Sequence, residues 1–282
     1  MGGPHFAESS AELVRDFAQP SQPGRRAPCE AARGLVRTTL SRMRVPFTAR
    51  DLDLLISDKA DEERDAVAAA WVAAGGQILT LGRFWEPPAV EPDRVRVYGN
   101  DSFCLVLAQK LDLELVSPAD DLLLQLDPAM LGRSLRVVPF DALESIQFPA
   151  FVKPVVPKLF RAAVYPSAEA LAAETAGLEA DRQLLVSEVV HFENEVRCWI
   201  LDGEVLSLSA YEGACDEASA HAFASGVAAH PALPETCVVD IGVVRDRGWA
   251  MIEANAAWGA GLNGCDPVAA ARCIARACRK RT

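Results

Sequence analysis

The stretch "WAMIEANAAWGAGLNG", Trp249 to Gly264, sets Glu253 and Asn255 two residues apart at the end of an apolar strand, just before a loop with three glycines. Side chains alternate across a strand, so Glu253 and Asn255 share one face while Ile252 and Ala254 share the other. Upstream, "CVVDIGVVRDRGWAMIEAN" reads as a hairpin turning near Asp246 and Arg247. Pairing Val244 with Trp249 then brings Asp240 opposite Glu253. Two facing carboxylates repel, more strongly when buried, unless a cation lies between them. Asp, Glu and an Asn carbonyl are hard oxygen donors, and they suit Mg²⁺, which keeps waters and completes its octahedron with substrate phosphates. Asp240, Glu253 and Asn255 are therefore the expected metal residues. Each alone reads as a polar side chain on a solvated sheet face; the three in one register point to a divalent ion.

Other residues fit the phosphates such an ion would carry. "FPAFVKPVVPKLFRA" places Lys153 at the end of a strand and Lys158 at the start of the next, with Pro154 and Pro157 bracketing the bend. A lysine is a flexible point charge suited to polyphosphate oxygens. Two surface lysines beside a proline loop would look the same, and the metal residues favour the phosphate reading. "LLVSEVVHFENEVRCWI" begins as a buried strand and turns polar at Ser187 and Glu188. It could present backbone N–H and C=O groups to an adenine edge with Val189, Val190 and Phe192 flanking the ring, or serve as a core strand. Glu195 and Arg197 follow one strand step apart on the same face. Glu195 could hold ribose hydroxyls and Arg197 a phosphate or carboxylate, an exposed cross-strand ion pair being the plain alternative. His191 reads as surface or packing.

The elements that must position these residues follow from periodicity. With 282 residues, half of them hydrophobic, the chain can bury one large domain or two modest ones. Residues 1 to 48 read as a tail or linker, because "QPSQPGRRAP" lacks the apolar content to order itself, with a helix from Cys29 to Arg44. From Asp51, strand and helix alternate. "LDLLIS" is followed by a helix over Lys59 to Ala74, then "GGQILTL", "RVRVYG", a helix capped by Asn100 or Asp101, "LELVS", short helices to Leu131, and "LRVVP". That order predicts a small α/β layer with a mostly parallel sheet over residues 49 to 134. Past Phe148 the strands come in hairpins, with Asp202-Gly203 setting a tight turn in "CWILDGEVLSLS". An Ala-rich helix from Asp216 to Ala229 lies between the hairpins. Asp266-Pro267 caps a final helix ending in Arg279, Lys280 and Arg281, cations that suit the negative end of the helix dipole.

A net charge of −11 opposes binding to nucleic acid or anionic membrane and leaves a small molecule or peptide as the expected partner. No stretch approaches the ~20 apolar residues that cross a bilayer, and Met1 to Gln19 lacks the features of a signal peptide, so a cytoplasmic protein is expected. Eight cysteines without a C-x-x-C pair read as free, buried thiols. Among only four histidines no Ser/His/Asp or Cys/His arrangement stands out, which argues against a side-chain nucleophile.

Taken together, Lys153 after a strand, the "LVSEVV" hinge, "ENEVR", "VVDIG" and "MIEANAAWGAGLNGCDP" resemble the ATP-grasp superfamily over about Tyr98 to Ala277. Specifically they are similar to the RimK-related branch with two lysines, related to ribosomal-protein glutamate ligases, with Lys158 as the second. The resemblance implies an α+β ATP-grasp fold, two α+β subdomains gripping ATP, preceded by a small α/β pre-ATP-grasp domain that helps form the acceptor pocket. The ATP-grasp domain would span 135 to 282, with a lid over about 136 to 186 and a metal-binding subdomain over about 187 to 282. ATP and Mg²⁺ are the implied cofactors. Lys153 would hold the α and β phosphates, and Lys158 would reach phosphate from the lid. Glu188 to Val190, Val189 between them, would mark the adenine hinge, and Glu195 would meet the ribose. Arg197 would meet the transferring phosphate, and Asp240, Glu253 and Asn255 would bind magnesium. The implied activity is ADP-forming ligation of a carboxylate to an amine through an acyl phosphate, on an amino acid or peptide. A non-catalytic ATP-binding regulator or a phosphotransferase would use the same site. The sequence departs from the pattern in "LFRAAVYP", between Lys158 and Ser167, which lacks a glycine-rich phosphate loop. The loop Trp258 to Gly264 could bring backbone N–H groups and Asn263 to a substrate, or its glycines could simply serve a tight turn.

Overall fold

The computed structural model describes residues 47–156, 159–179 and 182–281. The expected tail before Phe47, with its helix from Cys29 to Arg44, and Lys158 lie outside the described residues. The first layer holds β1 (Asp53–Ser57), α1 (Glu62–Ala73), β2 (Gln77–Leu81), β3 (Val95–Val97), α2 (Asp101–Lys110) and β4 (Leu113–Leu115). Here β1 is the central strand of a three-stranded parallel sheet, β2-β1-β3, and its Leu54 and Leu55 are fully buried. Helix α1 begins where the Asp61 carboxylate accepts from Arg64 N, and α2 where Asn100 accepts from Phe103 N.

Two short helices, α3 (Leu122–Gln125) and α4 (Pro128–Leu131), lead to a second sheet. It contains β5 (Leu135–Pro139), β6 (Ala150–Pro154), β7 (Ala163–Tyr165) and β8 (Gln183–Ser187), in the order β5-β8-β6-β7, with α5 (Ala168–Glu174) between β7 and β8 in the chain. A third sheet has the order β10-β9-β11-β12 and is formed by β9 (Phe192–Leu201), β10 (Glu204–Glu212), β11 (Thr236–Val244) and β12 (Gly248–Asn255). Helix α6 (Glu217–Ala228) packs on it, and α7 (Pro267–Ile274) and β13 (Cys278–Lys280) end the described chain. The β9–β10 turn is carried by Asp202 and Gly203, at φ 50° and 77°, the left-handed pair that a tight hairpin of right-twisted strands requires.

Three elements differ from expectation. "LRVVP", read as part of the first layer, is β5, and it pairs antiparallel with β8 in the second sheet. β4 is not in the parallel sheet but pairs antiparallel with β13 at the other end of the chain. The last helix stops at Ile274, and Arg279 to Lys280 extend as strand, where Arg279 meets Glu114 at 2.7 Å and Glu235 at 3.0 Å. These cations answer specific carboxylates rather than a helix dipole. Strand alternation also lets Cys278 enter the core while Arg279 stays outside, and that core holds β1, β3, α1 and α2 together with α7 and the loop Ala257 to Cys265. The end of the chain thus completes the first layer's core.

The β11–β12 register carries the site. Val244 pairs with Gly248 and Val243 with Trp249, one step from the expected pairing of Val244 with Trp249. Continued unbroken, that ladder would set Asp240 against Ile252. A bulge intervenes: Ile241 pairs with Met251 and Asp240 with Glu253, leaving Ile252 as the extra residue. Facing carboxylates are thus restored by one inserted residue. On the β9 side, Gly242 admits no side chain, since a Cβ there would lie 2.4 Å from Asn194 O and 2.8 Å from the Phe192 ring. Among the described residues no helix is long and apolar enough to cross a membrane.

Gly242→Ala must push β9 away from β11 and should destabilise the fold by about 1–3 kcal/mol. Urea denaturation checks this; an unchanged midpoint would show that the strands yield without cost.

Candidate active site

Three strands line up three charges. Arg197 on β9 stands opposite Asp240 on β11, which stands opposite Glu253 on β12. Arg197 donates from Nε to Asp240 Oδ1 at 2.9 Å and from Nη2 to Oδ2 at 2.7 Å, and its Nη1 donates to Gly261 O at 3.0 Å. Asp240 is fully buried and Arg197 nearly so. Burial works against the Arg197 charge, but the Asp240 hydrogen bonds and charge outweigh it and hold the guanidinium above its ordinary value. Burial likewise pushes the Asp240 carboxyl up, Arg197 pulls it down, and Glu253 adds to the rise. The bidentate geometry is that of an ionised carboxylate on a guanidinium fork. The Arg197 guanidinium also stands 5.8 Å from the centre of the Tyr211 ring.

Glu253 is the junction between this line and a cavity. Asn255 donates from Nδ2 to Glu253 Oε1 at 3.2 Å. Lys153, on β6, feels Glu253 from the second sheet: burial pushes its ammonium down, Glu253 pushes it up and Arg133 opposes that rise. Arg133, in the turn between α4 and β5, donates to Leu131 O at 2.9 Å, Met251 O at 2.7 Å and Ile252 O at 2.9 Å. It therefore satisfies carbonyls of the bulged segment, and so braces the register that sets Glu253 against Asp240. Its guanidinium lies over Phe192, and burial pushes it down to about 10 against the pull of Glu253 and Glu188.

The cavity, of about 310 Å³, lies between the second and third sheets. Lys153, Glu188, Val189, Val190, Glu195 and Glu253 line it, together with Arg133 and an apolar wall that includes Phe151, Val164, Leu185 and Ile252. An apolar slot with a few convergent polar groups is the usual form of a cofactor site. Arg197, Asp240 and Asn255 are not part of its lining; the first two continue the line of charges that starts at Glu253. The Glu188 carboxylate is held by Arg247 at 2.8 Å and by Ser134 N at 2.7 Å, and Arg247 keeps it below the usual carboxylate range. That leaves the backbone of 188–190 as what the hinge can offer a ligand. Glu195 pairs in register with Glu212 on β10 and Gly242 on β11, and both glutamates line the cavity. His191, read as surface or packing, also lines it.

The loop after β12 differs from the reading that gave its N–H groups to a substrate. Leu262 N and Asn263 N donate to the Glu63 carboxylate at 2.8 and 2.9 Å. Asn263 and Gly264 take φ of 45° and 82°, so glycine here serves a tight turn. Arg133 and Glu63 were not singled out from sequence, because their partners are main-chain groups more than a hundred residues away.

The donor chemistry suits a magnesium–nucleotide pair. Asp240 and Glu253 oppose one another in register, Arg197 forks onto the first, Asn255 adds an amide oxygen, and Lys153 and Arg133 bring positive charge to the cavity side. Among the described residues no three His, Cys, Asp or Glu side chains form a metal cage by themselves, so the expected set rests on two carboxylates and an amide, with phosphate to complete it.

Residues 130–273 match a family model described as an ATP-grasp domain, the second family of its clade. In fold the chain is similar to the RimK domain ATP-grasp protein of Sphaerobacter thermophilus DSM 20745, with a TM-score of 0.56 and 18% identity, covering 79% of this chain and 98% of that one. It is also similar to N5-carboxyaminoimidazole synthase from Aspergillus clavatus, solved in complex with ADP and 5-aminoimidazole ribonucleotide, with a TM-score of 0.51 and 11% identity, covering 80% of this chain and 77% of that one. None of the curated proteins matches it in sequence.

Asp240→Ala leaves Arg197 buried without its counter-ion and should destabilise the protein by ~3–5 kcal/mol. Glu188→Ala, whose partner Arg247 sits in solvent, should cost far less; equal shifts in urea midpoint would contradict the difference in burial.

Proposed function

Because the chain belongs to the ATP-grasp superfamily, we propose that it is an ATP- and Mg²⁺-dependent, ADP-forming ligase that joins a carboxylate to an amine through an acyl phosphate, on an amino acid or peptide. The observation that carries this reading is the line Arg197–Asp240–Glu253, which runs from a fixed guanidinium to the wall of the cavity that holds Lys153. The cavity takes the nucleotide. The backbone of 188–190 meets the adenine, Glu195 the ribose, and Lys153 the α and β phosphates, with Lys158 reaching phosphate from the lid. Magnesium, held by Asp240, Glu253 and Asn255, would neutralise charge on the phosphoryl oxygens.

The remaining work is positional. A substrate carboxylate oxygen bonds to the γ-phosphorus as the bond to the ADP oxygen breaks, and the amine then attacks the acyl carbon as phosphate and a proton leave. Arg197 is suited to the negative charge of that phosphoryl group because Asp240 fixes it in advance, so it need not reorganise as charge moves. Near-attack placement in a closed site supplies much of such a rate, and no side-chain nucleophile is needed.

Incubation with Mg²⁺, ATP and amino-acid pools, with and without hydroxylamine, tests the proposal, which expects ADP and a hydroxamate. A phosphorylated product without hydroxamate would indicate a phosphotransferase, and bound ATP without ADP a regulator. Glu253→Gln should lower Mg²⁺-dependent ADP release by at least ~100-fold, as loss of one electrostatic group at a reacting centre does; unchanged turnover would remove the metal role. Lys153→Ala should weaken ATP binding about tenfold or more, since a charge-assisted hydrogen bond is worth ~1.5–3 kcal/mol; unaltered affinity in calorimetry would take Lys153 out of the phosphate site.

A further inference from the structure

We infer that Glu63, on the first turn of α1 in the parallel α/β layer, is a positioning residue for Arg197, acting through one peptide group of the loop after β12. The inference rests on the role proposed above for Arg197. The Glu63 carboxylate accepts from Leu262 N at 2.8 Å and from Asn263 N at 2.9 Å. Gly261 O, which accepts from Arg197 Nη1 at 3.0 Å, belongs to the same peptide unit as Leu262 N. A peptide unit is planar, so its C=O and N–H point in opposite directions, and fixing one end fixes the other. Glu63 grips the N–H end and Arg197 the C=O end of a single rigid plate.

The chain of contacts therefore runs from the Glu63 carboxylate through the 261–262 peptide to the Arg197 guanidinium and on to the Asp240 carboxylate. Negative charge on an N–H polarises the peptide and makes its carbonyl a stronger acceptor, because hydrogen bonds in series reinforce one another. Two successive N–H groups also form a seat suited to a carboxylate. Sequence accommodates this: a Cβ on residue 261 would lie 2.7 Å from Glu63 Oε2, so glycine is what lets the carboxylate approach. The loop is pinned to the same layer at other points, by Tyr98 Oη donating to Ala260 O at 3.0 Å and Gly99 N to Trp258 O at 3.1 Å. Of these contacts, only Glu63 acts on the peptide that Arg197 holds. The α/β layer thereby sets the third of the Arg197 contacts, the two to Asp240 being supplied by the sheet itself.

Glu63→Ala and Glu63→Gln test this in the full chain. Turnover should fall ~10- to 100-fold, the scale expected when a charge at a reacting centre is misplaced by about 1 Å. The KM for ATP should stay within about twofold, because Glu63 is not part of the cavity lining. Glu63→Gln, which keeps one acceptor oxygen, should retain more activity than Glu63→Ala. In unliganded protein, hydrogen exchange followed by NMR should speed at the Leu262 amide and, with it, at Arg197 Nε–H. Faster exchange at Leu262 with an unchanged Arg197 Nε–H would overturn the inference and leave Glu63 as a loop anchor. So would a rise in KM for ATP matching the loss of turnover, or a gain in turnover, which would mean that Glu63 merely blocks amides a substrate wants. If wild type forms no ADP with any acceptor, the ligase proposal fails, and the exchange comparison still decides the role of Glu63.

Discussion

The site depends on a buried ion pair that cannot stand alone. Arg197 and Asp240 are both withdrawn from water, and the Coulombic attraction between them offsets the cost of that withdrawal only because the geometry is bidentate. Glu253 then adds a second carboxylate opposite Asp240, on the side away from Arg197. A sheet that places two acids in register, with the guanidinium forked onto one of them, concentrates negative potential toward the other. That concentration is a fixed property of the β9, β11 and β12 registers, and Glu253 carries it to the cavity wall.

Each surrounding feature serves that arrangement. The bulge at Ile252 converts a register that would waste Glu253 into one that sets it against Asp240, and Arg133 donates to the carbonyls of Met251 and Ile252 beside it. Gly242 lets β9 come close enough for Arg197 to reach Asp240. The loop after β12 is held by the α/β layer through Glu63, Tyr98 and Gly99 and returns Gly261 O to Arg197. The first layer, whose core takes in α7 and that loop, is in this sense part of the site's frame. It is not only a neighbouring domain.

Local chemistry was legible in the sequence where a residue's neighbours in the chain determine its role. Asp202-Gly203 requires left-handed φ and turns the hairpin; Asn100, Asp216 and Asp266 accept the first N–H groups of their helices. The alternation that puts Glu253 and Asn255 on one face is equally local. What was not legible depends on distant partners. β4 pairs with β13 across more than a hundred and sixty residues, and β5 joins the second sheet because β8 lies beside it. The expected facing of Asp240 and Glu253 is present, but the shorter turn at 245–247 and the compensating bulge leave no mark in a pattern of residue types. Arg133 and Glu63 look like ordinary charged residues near helix ends, since a main-chain partner has no sequence signature.

The central claim is that the Asp240–Glu253 face completes a divalent ion's shell only together with nucleotide phosphates. Electron paramagnetic resonance of Mn²⁺, titrated with and without a non-hydrolysable ATP analogue, tests it most directly. The expected result is weak Mn²⁺ binding to the protein alone and tight binding when the analogue is present, with hyperfine coupling from ¹³C-carboxylate-labelled aspartate and glutamate. Mn²⁺ bound through the nucleotide without any carboxylate coupling, or bound equally well in its absence, would contradict the account.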